Sequence, residues 1–295
     1  MTIRPLTPSD VDAAAEADFA AFQDAALRRG TTANVRAVRD SRARLRWLLE
    51  VDPLGGFVAQ DGDRVVGHGW AHVRGPIATV GPIAVEPSSQ RRGVGRALLA
   101  HCLQAAGSRV MQVRLVHESA DLVALRCCLT AGFRIVAPML ELALDPATVV
   151  TMPTVPTDVT LRPAVEQDVR RIVARDARPF GTPRQQDVER LVRRGCGVVA
   201  DRGAALAGYG LGWAGQVGSA AGDDPEIVLA VLATLTGLAS LRATPLRILV
   251  PGTDRALVDG LLGLGFVLAR ACQYLIRGGG TAPPLGYVPM GPELT

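Results

Sequence analysis

The chain is poor in aromatic residues: six phenylalanines, three tyrosines and three tryptophans are 4% of 295 residues. No run of basic residues is interleaved with them, so the stacking-plus-charge pattern of a nucleic-acid binder is missing. The net charge is only +4 at neutral pH, which suits one anionic ligand site and not a basic surface. The five cysteines, Cys102, Cys127, Cys128, Cys196 and Cys272, are odd in number and form no C-x-x-C pair. That argues against a secreted disulfide framework and against a zinc site. No apolar run is long enough to span a membrane; Ile227–Leu241 is short and broken by Thr234, Thr236 and Gly237. The opening Met1–Thr7 does not read as a signal peptide. These absences predict a soluble, cytoplasmic protein without metal, membrane or nucleic-acid partner.

Hydrophobic residues make up 48% of the chain, enough for a packed core, and the length allows two domains. Pro146–Asp158 holds three prolines and no helical period, so it reads as a stiff connector. The stretches on either side resemble each other. Thr2-Ile3-Arg4-Pro5 and Thr160-Leu161-Arg162-Pro163 each open a strand, a turn and a helix near an acidic residue. In the first half the pattern predicts helices over Val11–Arg29 and Ala33–Glu50, and strands over Gly56–Asp61, Arg64–Val73 and Ile77–Val85. A helix over Arg96–Ala106, a strand over Met111–Glu118, a helix over Asp121–Ala131 and a hairpin over Phe133–Leu144 complete it. The second half predicts helices at Glu166–Arg175, Gln186–Arg194, Glu226–Leu241 and Asp254–Leu264, with strands at Gly197–Asp201, Ala205–Trp213 and Leu246–Val250. The tail after Gly278 is a glycine hinge before a short apolar segment, either disordered or with Tyr287–Met290 docked on the body. The expected division is therefore 1–145, a linker 146–157, a second domain 158–278 and a tail 279–295.

One stretch carries chemistry. The apolar strand ending Ile83-Ala84-Val85 leads through Glu86 and Pro87 into Gln90-Arg91-Arg92-Gly93-Val94-Gly95-Arg96-Ala97, and then into a helix. A helix N-terminus offers unpaired N–H groups and partial positive charge. Gly93 and Gly95 let an anion approach the backbone, and Arg91, Arg92 and Arg96 add full charges. The element is suited to a pyrophosphate. A dinucleotide fingerprint is the competing reading, with Glu118 as the ribose acid. However, Leu98 stands where its third glycine belongs, and the polar run Glu86–Arg92 separates strand from helix.

With its leading strand and following helix, Gln90–Gly95 resembles the acyl-CoA signature of the GNAT superfamily of N-acetyltransferases, Gln/Arg-x-x-Gly-x-Gly/Ala. The order of elements over residues 1–145 also fits that family. The resemblance implies an α/β fold of two GNAT-like domains, each a twisted mixed β-sheet flanked by helices. It implies acetyl-CoA as co-substrate, held at Ile83, Ala84, Val85 and Gln90 to Ala97, and an amine acceptor, a small molecule or a peptide. In the second half, Asp223, Asp224 and Glu226 stand where the first has Gln90, Arg91 and Arg92, so that half reads as degenerate and repels a pyrophosphate.

Acyl transfer to an amine needs a base, a donor to the oxyanion and stabilisation of the leaving thiolate. Many family members supply the last from a tyrosine; Cys128 stands in that place, as a thiol acid or as a small buried hydrophobe. Glu86 is a candidate base or a turn-shaping residue. His68 and His72 lie four residues apart, on one face of a strand, so His72 is a further candidate base. The backbone N–H groups of Ile83–Val85 are candidate oxyanion donors.

Overall fold

Each half of the chain opens with an arginine that clasps a carboxylate across a turn. Arg4 donates from both guanidinium ends to Asp10 at 2.8 and 2.7 Å, and Arg162 does the same to Asp168 at 2.6 and 2.8 Å. Asp10 and Asp168 also accept backbone N–H groups, of Thr7 and Val165, so one carboxylate fixes both turn and strand end. The computed structural model describes residues 1–30, 33, 35–213, 215–238 and 245–291. It divides into two compact units, Met1–Leu115 with Val123–Phe133, and Val116–Leu122 with Arg134–Thr295.

In the first unit, β1 (Thr2–Pro5), β2 (Gly56–Asp61), β3 (Arg64–Arg74) and β4 (Ile77–Val85) pair antiparallel in the order of the chain. β5 (Gln112–Glu118) joins β4 in parallel. The helices are α1 (Val11–Arg29), α2 (Val38–Val51), α3 (Val94–Ala106) and α4 (Leu122–Thr130). Helix α2 starts five residues later than the pattern predicts. The Asp40 carboxylate accepts the N–H groups of Arg36 and Ala37 at 3.1 and 3.0 Å, which sets the first turn there. Gly69 of β3 lets α3 pack close: a Cβ there would lie 3.1 Å from Cys102 Sγ. Trp70, on the opposite face of β3, is fully buried.

Two features of β4 matter for function. Gly69 pairs with Ile83 and Ala71 with Val80, so Gly81 and Pro82 together oppose Trp70 and form a bulge. Gly81 has φ of +137°, a backbone conformation that glycine alone adopts at little cost. The registered pairs between β4 and β5 are Ile77–Gln112, Ala78–Val113 and Thr79–Arg114. Past Thr79 the two strands hold no registered pair among the described residues, and the sheet opens beside Val80–Val85.

The second unit contains β6 (Arg134–Leu144), β7 (Val159–Pro163), α5 (Val169–Phe180), α6 (Gln185–Arg193), β8 (Gly197–Arg202), β9 (Ala205–Trp213) and β10 (Gln216–Gly222). It continues through α7 (Pro225–Thr236), β11 (Leu246–Pro251), α8 (Arg255–Gly263), β12 (Val267–Gly278) and β13 (Tyr287–Val288). The strand order is β12-β6-β11-β10-β9-β8-β7, with β13 on β10. The core under these strands gathers Val198, Val217, Val231, Ile248, Val250 and Leu257.

Residues 133–144 do not form the expected hairpin. Arg134–Leu144 is one strand, antiparallel to β12 on one side and β11 on the other. It lacks the Gly/Asn/Asp pair that a two-residue turn requires. Glu141 at its middle is 2% exposed and takes Arg247 of β11 at 2.5 Å and Arg270 of β12 at 2.6 Å. Burial alone would raise its pKa, but the two arginines hold it below the ordinary carboxylate value. By compactness the first unit ends at Phe133, with Val116–Leu122 counted in the second. The connector carries no helix or strand, and its Val150 and Val155 pack on the second unit's core. Helix α7 is described to Thr236; the end of the predicted Glu226–Leu241 falls on residues 239–241, outside the described residues.

Candidate active site

The loop between β4 and α3 is held in shape by its own side chains. Glu86 accepts the hydroxyls of Ser88 and Ser89 at 2.9 and 2.8 Å and Arg64 at 2.9 and 3.1 Å. Its carboxylate is therefore spent on the turn, which is the shaping role weighed for it. Gln90 donates to the Val85 carbonyl at 2.9 Å and accepts from Arg28 at 3.1 Å, tying the loop to β4 and α1. The backbone takes positive φ at Arg91 (+61°) and Gly93 (+86°). For arginine that conformation is uncommon, and it bends the chain sharply into α3.

Helix α3 begins after Gly93, and no side chain caps it. Ala97 N–H donates to the Gly93 carbonyl at 3.0 Å, so the amide of Ala97 is already used within the helix. The amides of Val94, Gly95 and Arg96 precede the first intrahelical donor and are the ones turned to this end. A Cβ at Gly93 would meet nothing within 4 Å, and at Gly95 only Val85 Cγ2 at 3.7 Å. The space over both glycines is open. Arg91, Arg92 and Arg96 are exposed around it. Ala84 and Val85 are buried and Ile83 half-buried on β4, facing Gly67, His68 and Gly69 of β3.

The two histidines lie on the α1–α2 face of β3. His72 is 1% exposed; its Nδ1 meets Asp52 Oδ2 at 2.5 Å, and its Nε2 has no partner. Asp52 also takes Arg74 at 2.7 and 3.0 Å. Burial would raise the Asp52 pKa, but His72 and Arg74 bring it down to about 2. His68 is fully buried, with Nε2 on Asp18 Oδ1 at 2.9 Å; Ser41 and Arg44 reach the same carboxylate at 2.6 Å. Trp70 stands between the two histidines and stacks on His72 with centroids 6.0 Å apart. Cys128 is buried on α4, and its carbonyl accepts Phe133 N–H at 3.1 Å. His101 packs edge-on to Phe57, and His117 meets the Asp121 carbonyl at 2.8 Å.

Asp18 and Asp52 were not singled out from the sequence. A signal existed for Asp18: it lies among the buried alanines 14, 15 and 17 of α1, and an acid on an apolar helix face needs a buried partner. Asp52, just past α2, carried none. Among the described residues no three His, Cys, Asp or Glu side chains group as metal ligands, and no helix is long and apolar enough to cross a membrane.

The first unit thus joins a mixed sheet that opens beside β4 to a helix whose N-terminus is uncapped and ringed by exposed arginines. Residues 21–133 match the acetyltransferase (GNAT) family, and the chain carries a GNAT acetyltransferase domain. Similar solved structures extend the likeness in fold over both units. A Pyrococcus horikoshii protein provisionally assigned as an acetyltransferase shares 19% identity at a TM-score of 0.79, over 100% of this chain and 95% of its own. A GCN5-related N-acetyltransferase from Sphaerobacter thermophilus shares 18% at 0.70, over 96% and 98%. A tandem GNAT protein from the clavulanic acid biosynthesis pathway shares 20% at 0.62, over 95% and 99%. No curated protein matches in sequence.

Proposed function

We propose that the protein is a cytoplasmic N-acetyltransferase that moves an acetyl group from acetyl-CoA to a primary amine on a small molecule or peptide. The observation that supports this most is the uncapped N-terminus of α3, open above Gly93 and Gly95 and flanked by three exposed arginines. The amides of Val94, Gly95 and Arg96 would hold the cofactor's pyrophosphate, with Arg91, Arg92 and Arg96 adding charge. Gln90 keeps the loop on β4 through the Val85 carbonyl. The free edge of Ile83–Val85 offers backbone groups to an extended thiol arm and to charge developing on the carbonyl oxygen. Acetyl-CoA supplies the activated thioester and a thiolate that leaves readily.

For the base we take His72, whose buried Nε2 has no partner, over Glu86. Asp52 fixes the His72 ring through Nδ1 and leaves Nε2 to take a proton, whereas four hydrogen bonds already engage Glu86. A second reading, an acyl-CoA sensor without turnover, draws on Cys128, buried where family members often carry a tyrosine. Thiol release from acetyl-CoA with a panel of amines separates the two. The chain contains no lysine, so no side-chain amine of its own competes with the added amines. Amine-dependent release supports the transferase; tight CoA binding with no release for any amine supports the sensor.

A further inference from the structure

The second unit repeats the β4 geometry on β10. Val217 pairs with Gly212 and Ala220 with Gly210, so Gly218 and Ser219 oppose Leu211 as Gly81 and Pro82 oppose Trp70. Gly218 has φ of +135° against +137° at Gly81. The registered pairs of β10 with β11 are Gln216–Arg247 and Val217–Ile248, and they stop there, as β4 stops pairing with β5. The counterparts of Ile83 and Ala84 are Ala220 and Ala221. In this unit they are paired, by the chain's own C-terminal segment: Ala220 with Val288 and Ala221 with Tyr287, antiparallel.

The fit of that segment goes beyond two backbone pairs. Tyr287 is 3% exposed, and Val288 and Met290 are fully buried. Val288 joins the core beside Val217, Ala220 and Val250. The Tyr287 hydroxyl accepts from Arg184 at 3.2 Å and lies 3.4 Å from the Ser219 hydroxyl. Arg184 and Ser219 are themselves fixed on Asp176, which also takes Tyr209, in a fully buried network. Gly286 N–H donates to Asp254 at 2.6 Å. A Cβ at Gly218 would strike the Pro289 carbonyl, so that glycine is also what lets the segment lie close. The end of β10 is closed to an anion: Asp224 caps α7 by accepting Ile227 N–H at 2.9 Å, and Pro225 follows it.

We propose that the cleft of the second unit is a peptide-binding groove, occupied in cis by Gly286–Gly291. Its ligand class is an extended, neutral peptide of the type Gly-Tyr-Val-Pro-Met. The β10 edge reads its backbone, Arg184 and Ser219 read a tyrosine hydroxyl, and apolar pockets take the valine and methionine. The same opening that in the first unit is offered to a cofactor is here filled by protein.

The test uses the whole folded chain with a protease site inserted between Gly279 and Gly280. After cleavage, the C-terminal segment stays with the body through gel filtration, and a labelled synthetic peptide of residues 283–291 exchanges into its place. The Tyr287→Phe peptide binds about fivefold more weakly, the size of one hydrogen bond. The Val288→Asp peptide loses at least about a hundredfold, because it buries a carboxylate. Release of the segment on the first pass with no peptide binding overturns the proposal. So does equal binding of the Val288→Asp peptide, or displacement of the wild-type peptide by saturating CoA. A CoA titration of the same cleaved sample reports on the first unit alone, so failure of the acetyltransferase reading is seen separately.

Discussion

Gly95 is the residue at which cofactor binding can be separated from folding. Its φ is not positive, and a Cβ would rest 3.7 Å from Val85 Cγ2, an ordinary contact. An aspartate in the first turn of α3 also favours the helix electrostatically. Gly95→Asp should therefore keep the melting temperature of the wild type within a few degrees while weakening CoA at least about a hundredfold, since it places like charge on the phosphate site. Near-normal affinity by calorimetry would show that this loop does not hold the pyrophosphate. Gly93→Asp should also lose CoA, but its φ of +86° adds backbone strain, which makes it the less clean variant. Arg91→Ala should cost only about fivefold, because an exposed charge contributes modestly. Cys128 belongs to the same scale. It is a small, buried side chain on α4, and a thiolate leaves without a strong acid. Cys128→Ala should lower kcat by less than about tenfold; a loss of about a hundredfold, with the alkaline limb of the pH profile gone, would make Cys128 the acid.

At the scale of elements, Asp52 ties the end of α2 to β3. Its N–H closes the helix on Leu48, and its carboxylate takes His72 and Arg74. Free aspartate titrates near 4. Despite burial, which pushes the other way, His72 and Arg74 lower this carboxylate to about 2 in the folded chain. A depressed folded pKa gives stability that is complete above the unfolded pKa and lost as pH falls through the folded one. Asp52→Asn should thus cost about 2 kcal/mol at pH 7, and the gap between mutant and wild type should narrow between about pH 4 and pH 2. Denaturant unfolding at pH 7 and pH 3 measures both; a gap that does not change with pH would mean the pairing is not what lowers the pKa. The same elements show what a sequence discloses. Val11–Arg29, Gly56–Asp61, Ile77–Val85 and Ala205–Trp213 are helix and strands at the residues that periodicity marks, because their apolar spacing is local. Gln90–Gly95 was legible for the same reason: strand, glycines and helix follow one another in the chain. The Asp18–His68 and Asp52–His72 pairs were not, since their partners lie 50 and 20 positions apart and no local pattern joins them. Strand β12 was missed because its residues alternate poorly, with Val267, Leu268 and Ala269 all exposed on entry.

At the scale of the whole molecule, the repeat was readable from Thr-x-Arg-Pro, whereas the assembly of the second unit was not. Pairing partners decide it: β6 is held by β11 and β12 through Glu141, and the tail by β10, and neither partner is adjacent in sequence. What the two units retain in common is a bulged central strand whose far end loses its parallel neighbour. What differs is charge and occupancy at that end. One has an uncapped helix with three exposed arginines, and the other a helix capped by Asp224, with Asp223 paired to Arg175 and Arg202 and a strand already on β10. Carboxylates at a helix start satisfy its amides and repel a polyanion. Calorimetry of the full chain should therefore give one CoA per chain, with no second, weaker step. Gly95→Asp should abolish that single site entirely and not unmask another. Removing the acids with Asp223→Asn and Asp224→Asn should leave the stoichiometry at one, because β13 still fills the cleft. Two sites in the wild type, or a site of wild-type affinity left in Gly95→Asp, would show that the second unit binds the cofactor as well.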